Sequence, residues 1–197
     1  MAPFNGGSPL TAYSITIRQS DGLTYSSELG NCNGSNSGVI TAASCTIPIS
    51  TLQASPFNLP WGASVYAKIT ATNIVGISDL ANAGNGGTIL TNPDQPTALT
   101  NIPATTSASV IAFSWTAGSL NGGSPVIEYR VNWDQGTNTY AVLDSSVTGL
   151  SYSTSATLTP NTVYKFKLES RNSYGFSTLS SEISIRAAKI PDAPQNL

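Results

Sequence analysis

The stretch that decides the fold is residues 158–177, LTPNTVYKFKLESRNSYGFS. After a Pro-Asn turn, apolar or small side chains occupy every second position from Tyr164, and the charged residues Lys165, Lys167 and Glu169 lie between them. A period of two predicts a β-strand with one buried face and one solvated face. The Asn-Ser-Tyr-Gly sequence that follows predicts a turn, because Asn and Gly tolerate positive φ. The stretch therefore predicts a half-buried strand that ends in a tight turn.

The same residues resemble the F strand of a fibronectin type III domain, in which a Leu-x-Pro-x-Thr-x-Tyr sequence leads into the strand and Asn-x-x-Gly closes it. The resemblance implies that Tyr164 forms the tyrosine corner, whose hydroxyl ties the turn before strand F to the sandwich. Trp115 and Tyr129 resemble the family's B-strand Trp and C-strand Tyr. We therefore expect a structural core that contains Trp115, Tyr129, Leu158 and Tyr164.

Three short sequences occur twice, which indicates a tandem repeat. They are Asn-Gly-Gly-Ser-Pro at 5–9 and 121–125, Asn-x-x-Gly at 73–76 and 172–175, and Pro-Asp-x-Pro at 93–96 and 191–194. The first pair is spaced about 17 residues wider than the others, which predicts an insert in the first copy at about residues 24–50. Tyr13 follows the first Asn-Gly-Gly-Ser-Pro as Tyr129 follows the second, so we expect Tyr13 in a core as well. The first copy has Val65 at the position of the corner Tyr, and Tyr66 one place later.

The fold class that follows is all-β, with tandem immunoglobulin-like (fibronectin type III) antiparallel β-sandwiches. We predict an incomplete domain at residues 1–91, a complete domain at 92–189 and the start of a further repeat at 190–197. The first domain lacks room for strands A and B before Asn5, which predicts an exposed core and exposed strand edges. The simplest explanation is that the chain is a slice of a longer protein. The alternative is complementation in trans, in which the final residues lend a strand to a neighbouring molecule.

Cys32 and Cys45 lie in the insert, in a loop rich in Asn, Gly and Ser. We expect them to form a disulfide, which would stabilise the domain by about 3 kcal/mol through loop entropy and would imply an oxidising compartment. The alternative is two reduced, buried thiols. Asn33 begins the one Asn-x-Ser/Thr sequence in the chain and is a candidate for N-glycosylation in a secretory pathway.

Composition limits the function classes. Charged residues make up 9% of the chain and the net charge is -2, so the sequence offers no basic surface for nucleic acid. Histidine is absent, which removes the commonest general base and the commonest zinc ligand. We expect no enzymatic activity, no cofactor and no metal; Asp94 and Asp192, in matching linkers, are expected to cap the turn into strand A. No apolar run is long enough to predict a membrane span in this segment.

The leading functional prediction is a non-enzymatic structural repeat protein of an extracellular or cell-surface array, which forms or decorates a filament through head-to-tail domains. Its partners would be copies of itself or neighbouring repeats, with glycans as further partners. Repeats with a Cys-bearing insert and Ile-Pro-Asp-Ala-Pro linkers also resemble long secreted or surface proteins of single-celled eukaryotes such as ciliates. The alternative is an adhesive or carbohydrate- or protein-binding module of a surface protein. An exposed aromatic patch near the cysteines or Trp61 would support that alternative.

Overall fold

The computed structural model describes residues 4–189. They form two compact units, which divide between Ile89 and Leu90. The predicted start of a further repeat, residues 190–197, lies outside the described residues. Antiparallel strands dominate both units, so the chain has the all-β fold that the alternating sequence pattern predicted. Among the described residues, no helix is long and apolar enough to cross a membrane.

A four-stranded antiparallel sheet and two short helices form the described part of the first unit. In chain order the elements are β1 (Leu10–Arg18), β2 (Tyr25–Ser26), α1 (Ser37–Ala42), α2 (Ile49–Gln53), β3 (Ser64–Asn73) and β4 (Gly84–Thr88). The order across the sheet is β2-β1-β3-β4. β1 and β3 pair from Leu10 opposite Asn73 to Ile17 opposite Ala67, and their β-branched residues suit a pleated surface.

The insert between β2 and β3 covers part of this sheet. Its Leu52, Phe57 and Leu59 are buried together with Ile17 and Ile89 of the sheet region. The prediction of an exposed core is therefore only partly right, because helix and loop residues cover the end of the sheet near Ile17. The covering residues also extend beyond the predicted end of the insert.

Two antiparallel sheets form the second unit. Their elements are β5 (Thr97–Asn101), β6 (Ala112–Thr116), β7 (Glu128–Trp133), β8 (Ala141–Val147), β9 (Ser151–Ser153), β10 (Val163–Arg171) and β11 (Ile183–Arg186). One sheet has the order β11-β10-β7-β8 and the other has the order β5-β6-β9. Buried residues from both sheets belong to one apolar cluster, so the sheets pack face to face as a sandwich.

The core of the second unit contains the aromatic residues that the sequence singled out. Trp115, Tyr129, Leu158 and Tyr164 are all less than a tenth exposed. The rings of Trp115 and Tyr129 meet edge to face, with centroids 5.3 Å apart, which is a favoured aromatic geometry. Along β10 every second residue is buried, so the period of two places Tyr164 and the alternate residues after it on the inner face.

Candidate functional site

A tyrosine corner fixes the entry to β10. The Tyr164 hydroxyl accepts a hydrogen bond from the Thr159 N–H at 2.8 Å, and the Tyr164 ring is buried. In the first unit the equivalent residue is Val65, which packs against the buried apolar cluster. The adjacent Tyr66 lies beneath the guanidinium of Arg18, 4.0 Å from the ring centroid. The first unit thus uses apolar packing where the second uses a hydroxyl hydrogen bond.

Asn172 joins the turn after β10 to two other segments. Its Nδ2 donates to the carbonyl oxygens of Thr91 at 2.8 Å and Asn121 at 2.7 Å. Its Oδ1 accepts the N–H groups of Tyr174 at 2.9 Å and Gly175 at 3.1 Å. The side chain is 1% exposed, so these bonds replace water almost completely. Asn172 therefore holds the segment before β5 against the loop before β7.

Asp94 strengthens the same junction. Its Oδ2 accepts the N–H of Leu120 at 3.0 Å, and its own N–H donates to the Leu120 carbonyl at 2.9 Å. Its carbonyl accepts a hydrogen bond from the Ser170 hydroxyl at 2.7 Å. The carboxylate therefore caps the loop before β7. Within residues 4–189, no group of three or more Cys, Asp or Glu side chains could hold a metal ion.

Cys32 and Cys45 form a disulfide bond, which confirms the predicted pairing. Cys32 is buried, whereas Asn33 beside it is exposed. The Asn33 Oδ1 accepts the Ser35 N–H at 3.0 Å in a turn that leads into α1, and Asn36 caps the N-terminus of that helix. The glycosylation candidate thus lies on the surface of the loop that the disulfide closes. Its occupancy by a glycan stays a prediction.

An apolar cavity of about 580 Å³ lies between the inner face of the first sheet and the insert. Its walls include Ile15 of β1, Ile69 of β3 and Ile47 of the insert. Tyr13 also lines the cavity, and its buried hydroxyl has no hydrogen-bond partner among the described residues. In the second unit, β5, β6 and β9 cover the equivalent sheet face. The cavity therefore marks the place where residues 4–89 have no second sheet.

Charged side chains on the outer face of the second unit pair across strands. Arg130 of β7 lies opposite Glu169 of β10 and binds it through two hydrogen bonds, at 2.7 and 2.8 Å. Asn132 donates a third hydrogen bond to Glu169 at 3.1 Å. Burial alone would raise the pKa of Glu169, but the hydrogen bonds from Arg130 and Asn132 outweigh burial and lower that pKa. Glu169 therefore stays ionised, and its ion pair with Arg130 joins β7 to β10.

Comparison with known families identifies the second unit. A model of the fibronectin type III domain matches residues 94–186. Residues 94–186 are a fibronectin type III domain. This fibronectin type III domain contains the tyrosine corner, the aromatic core, Asn172 and Asp94.

Individual proteins are also similar to parts of this chain. Mouse "Fibronectin type III domain containing protein 3C1" is 26% identical over 139 residues, which cover 67% of this chain and 10% of that protein. The chain thus spans about a tenth of that curated relative. The titin domains A168–A170 align with a TM-score of 0.57 at 16% identity, covering 90% of this chain and 55% of theirs. The sixth fibronectin type III domain of human fibronectin type III domain containing protein 3 is 22% identical with a TM-score of 0.42, covering 57% of this chain and all of its own.

The sequence predicted the fibronectin type III fold and the disulfide, but it missed the part that Asn172 plays. Asn172 was predicted only as a turn residue, whereas its side chain joins three separate segments of the fibronectin type III domain.

Proposed function

We propose that this chain is a non-enzymatic structural segment of an extracellular or cell-surface array, in which sandwich units follow one another head to tail. The array forms or decorates a filament. Its partners are further copies of the chain or neighbouring repeats of the same protein. Glycans on the exposed disulfide loop are further partners.

One observation carries this proposal: the segment that leads into the fibronectin type III domain is bound to that domain. Thr91 and Asp94 form hydrogen bonds to the loop before β7, and Asn172 and Ser170 bind the same segment. A Pro-containing segment is already stiff, and these bonds restrict it further. Such a bound start is what we expect of a domain that directly follows another domain in a repeat protein.

The disulfide and the surface composition favour an extracellular or cell-surface compartment. A disulfide such as Cys32–Cys45 persists in oxidising surroundings, which favours a secreted or surface location. The low charge of the chain, 9% of residues, fits the Ser- and Thr-rich surface of such proteins. A surface location also agrees with the resemblance of this sequence to long surface proteins of ciliate-like eukaryotes, which we include in the proposal.

A second candidate is an adhesive or carbohydrate- or protein-binding module of a surface protein. Large apolar side chains are exposed on the loops of the first unit, including Phe4, Ile74 and Val75. Exposed apolar groups of this kind favour contact with a protein over contact with a sugar. Trp61 is 37% exposed and could contribute to a sugar site. Binding of the intact chain to defined sugars on a glycan array would favour this second candidate.

Immuno-electron microscopy tests the leading proposal. Antibodies against the chain are applied to intact, unpermeabilised cells of the source organism, with permeabilised cells as the control for internal antigen. We expect label outside the plasma membrane at a regular repeat along filaments or a surface layer. Label that appears only after permeabilisation would refute the extracellular array.

A further inference from the structure

The outer face of the first sheet carries a group of basic and aromatic side chains. Ile17 of β1 is buried on the inner face, so the neighbouring Arg18 points outward. Tyr25 of β2 lies opposite Arg18 and therefore shares its face. In β3 the residues on either side of Ala67 also point outward, because Ala67 lies opposite Ile17. We call these four outward side chains the outer patch: Arg18, Tyr25, Tyr66 and Lys68.

Each basic side chain of the outer patch lies over a tyrosine ring of another strand. The Cζ of Arg18 is 4.0 Å from the ring centroid of Tyr66, and the Nζ of Lys68 is 4.4 Å from the ring centroid of Tyr25. The rings attract the cations and hold them in place above the sheet. Contact with a ring face leaves the N–H groups of both cations able to bond to the oxygen atoms of a ligand.

The chain supplies no acidic partner for these two cations. Among residues 4–189, neither Arg18 nor Lys68 forms a salt bridge or donates a side-chain hydrogen bond. Their positions are diagonal to each other across the paired strands β1 and β3, which separates their Cα atoms by about 7–8 Å. Two unpaired cations at this distance can bind a single ligand that carries an acidic group for each.

The second unit neutralises the equivalent face of its own sheet. Lys167 stands where Lys68 stands, because each lies five residues before the Asn of its Asn-x-x-Gly turn. The Nζ of Lys167 is 4.0 Å from the carboxylate of Glu182, and Arg130 on the same face is paired with Glu169. The cations of that face therefore stabilise their own sheet, whereas those of the outer patch remain available to a ligand.

The outer patch lies on the side of the sheet that faces away from the core. In the second unit, which has two sheets, β5, β6 and β9 pack on the inner face of β7 and β10. The charged side chains of β10 alternate with the buried ones and point away from that second sheet. A second sheet over the first unit would likewise pack on the inner face, so exposure of the outer patch does not depend on whether such a sheet is present.

The rest of the face indicates the class of ligand. Ser14 of β1 lies opposite Thr70 of β3, and both point outward beside the two cations. Hydroxyl groups donate and accept hydrogen bonds, as the hydroxyl groups of a sugar do. β1 and β3 each have a paired strand on both sides, so an extended peptide cannot add to them as a further strand. Two cations are also too few to neutralise a nucleic acid backbone.

We propose that the outer patch binds an acidic saccharide. Arg18 and Lys68 bind its carboxylate or sulfate groups through charge-assisted hydrogen bonds, and Ser14 and Thr70 bind its hydroxyl groups. The inference rests on the second candidate function, the binding of carbohydrate by a surface protein, and gives that function a site that does not involve Trp61. It is independent of the head-to-tail array.

Isothermal titration calorimetry of the intact 197-residue chain at low ionic strength tests the proposal. The probes are hexagalacturonate, which carries carboxylates, sulfated maltohexaose, which carries sulfates, and maltohexaose, which is neutral. Hexaglutamate represents an acidic peptide. The variants are Arg18→Gln, Lys68→Gln and the two combined. Lys167→Gln is the matched control, because it makes the same change of charge at the equivalent position of the second unit, where the lysine has an acidic partner.

We expect saturable binding of at least one of the two acidic saccharides and none of maltohexaose. The saccharide that binds identifies the acidic group. Each single variant should bind about fivefold more weakly and the combined variant more than about tenfold more weakly, because an ion pair at a surface contributes up to a factor of about five. Lys167→Gln should bind like the wild-type chain. Unchanged thermal unfolding of the variants will show that the loss of binding is not a loss of fold.

Four results would overturn the proposal: no saturable binding of either acidic saccharide, equally tight binding of maltohexaose, equally tight binding of hexaglutamate, or an equal loss of binding in Lys167→Gln and Lys68→Gln. Binding of neutral sugars alone on a glycan array would refute this site and leave the second candidate function standing. Label confined to the cell interior would refute the extracellular array whatever the chain binds.

Discussion

Replacement of Asn172 by alanine tests how the fibronectin type III domain is held at its start. The substitution removes four hydrogen bonds, two donated to Thr91 and Asn121 and two accepted from Tyr174 and Gly175. A net hydrogen bond contributes about 1 kcal/mol to stability, which gives an upper figure of about 4 kcal/mol. Asn121 and Tyr174 are exposed, so water can replace part of this loss. We expect Asn172→Ala to lower the free energy of unfolding of the second unit by about 3 kcal/mol.

The matched control is Asn73→Ala in the first unit. Asn73 has the same turn and the same contact with an Asn-Gly-Gly loop, but it makes one donated bond fewer and lies in more exposed surroundings. Its replacement should lower the stability of the first unit by only about 1 kcal/mol. The difference between the losses of unfolding free energy in the two variants therefore measures the combined contribution of burial and of the additional hydrogen bond to the segment before β5.

Urea titration with pulsed hydrogen–deuterium exchange and mass spectrometry gives a separate unfolding midpoint for each unit. With a slope of about 1.5 kcal/mol per molar urea, Asn172→Ala should lower the midpoint of the second unit by about 2 M, and Asn73→Ala that of the first by less than 1 M. In Asn172→Ala the N–H groups of Thr91 and Asp94 should also lose protection. Equal midpoint shifts in the two variants, or unchanged protection at Thr91, would refute the part assigned to Asn172.

The remaining predictions concern three other features. Tyr164→Phe removes the hydroxyl that accepts the Thr159 N–H and should cost the second unit about 1–2 kcal/mol in chemical denaturation, with the first unit unchanged. Reduction of the disulfide should destabilise the first unit by about 3 kcal/mol and leave the second unit unchanged. Thermal unfolding with and without reductant will check this, and intact mass before and after reduction will show whether the bond is present. Because the folded state lowers the pKa of Glu169, its pairing with Arg130 stabilises the second unit at neutral pH, and that stabilisation is lost as pH falls through the lowered pKa. Glu169→Gln should reduce the difference in unfolding free energy between neutral and acidic pH, and an unaltered pH profile would contradict this assignment.

Short-range sequence patterns predicted most of the strands and turns of the second unit. The period of two along β10, the Pro-Asn turn before it and the Asn-x-x-Gly turn after it are properties of neighbouring residues, so they can be recognised without tertiary contacts. The aromatic core followed by resemblance, because large aromatic side chains are buried in such sandwiches. The insert was harder to interpret. Its Leu52, Phe57 and Leu59 show no repeating period, and their burial depends on a sheet face that another part of the chain provides.

The sequence by itself predicted the alternating strands of the second unit, the disulfide and the position of the corner tyrosine. The sequence also contained the recurring Pro-Asp-x-Pro and Asn-x-x-Gly sequences, but it did not show that they contact each other. Only the tertiary structure brought them together, since Asn172 reaches Thr91 across about eighty residues of chain. The same comparison showed that Gly175 faces a bound segment whereas Gly76 faces open space. Contacts between distant residues depend on how the two sheets pack, and a local pattern does not encode that packing.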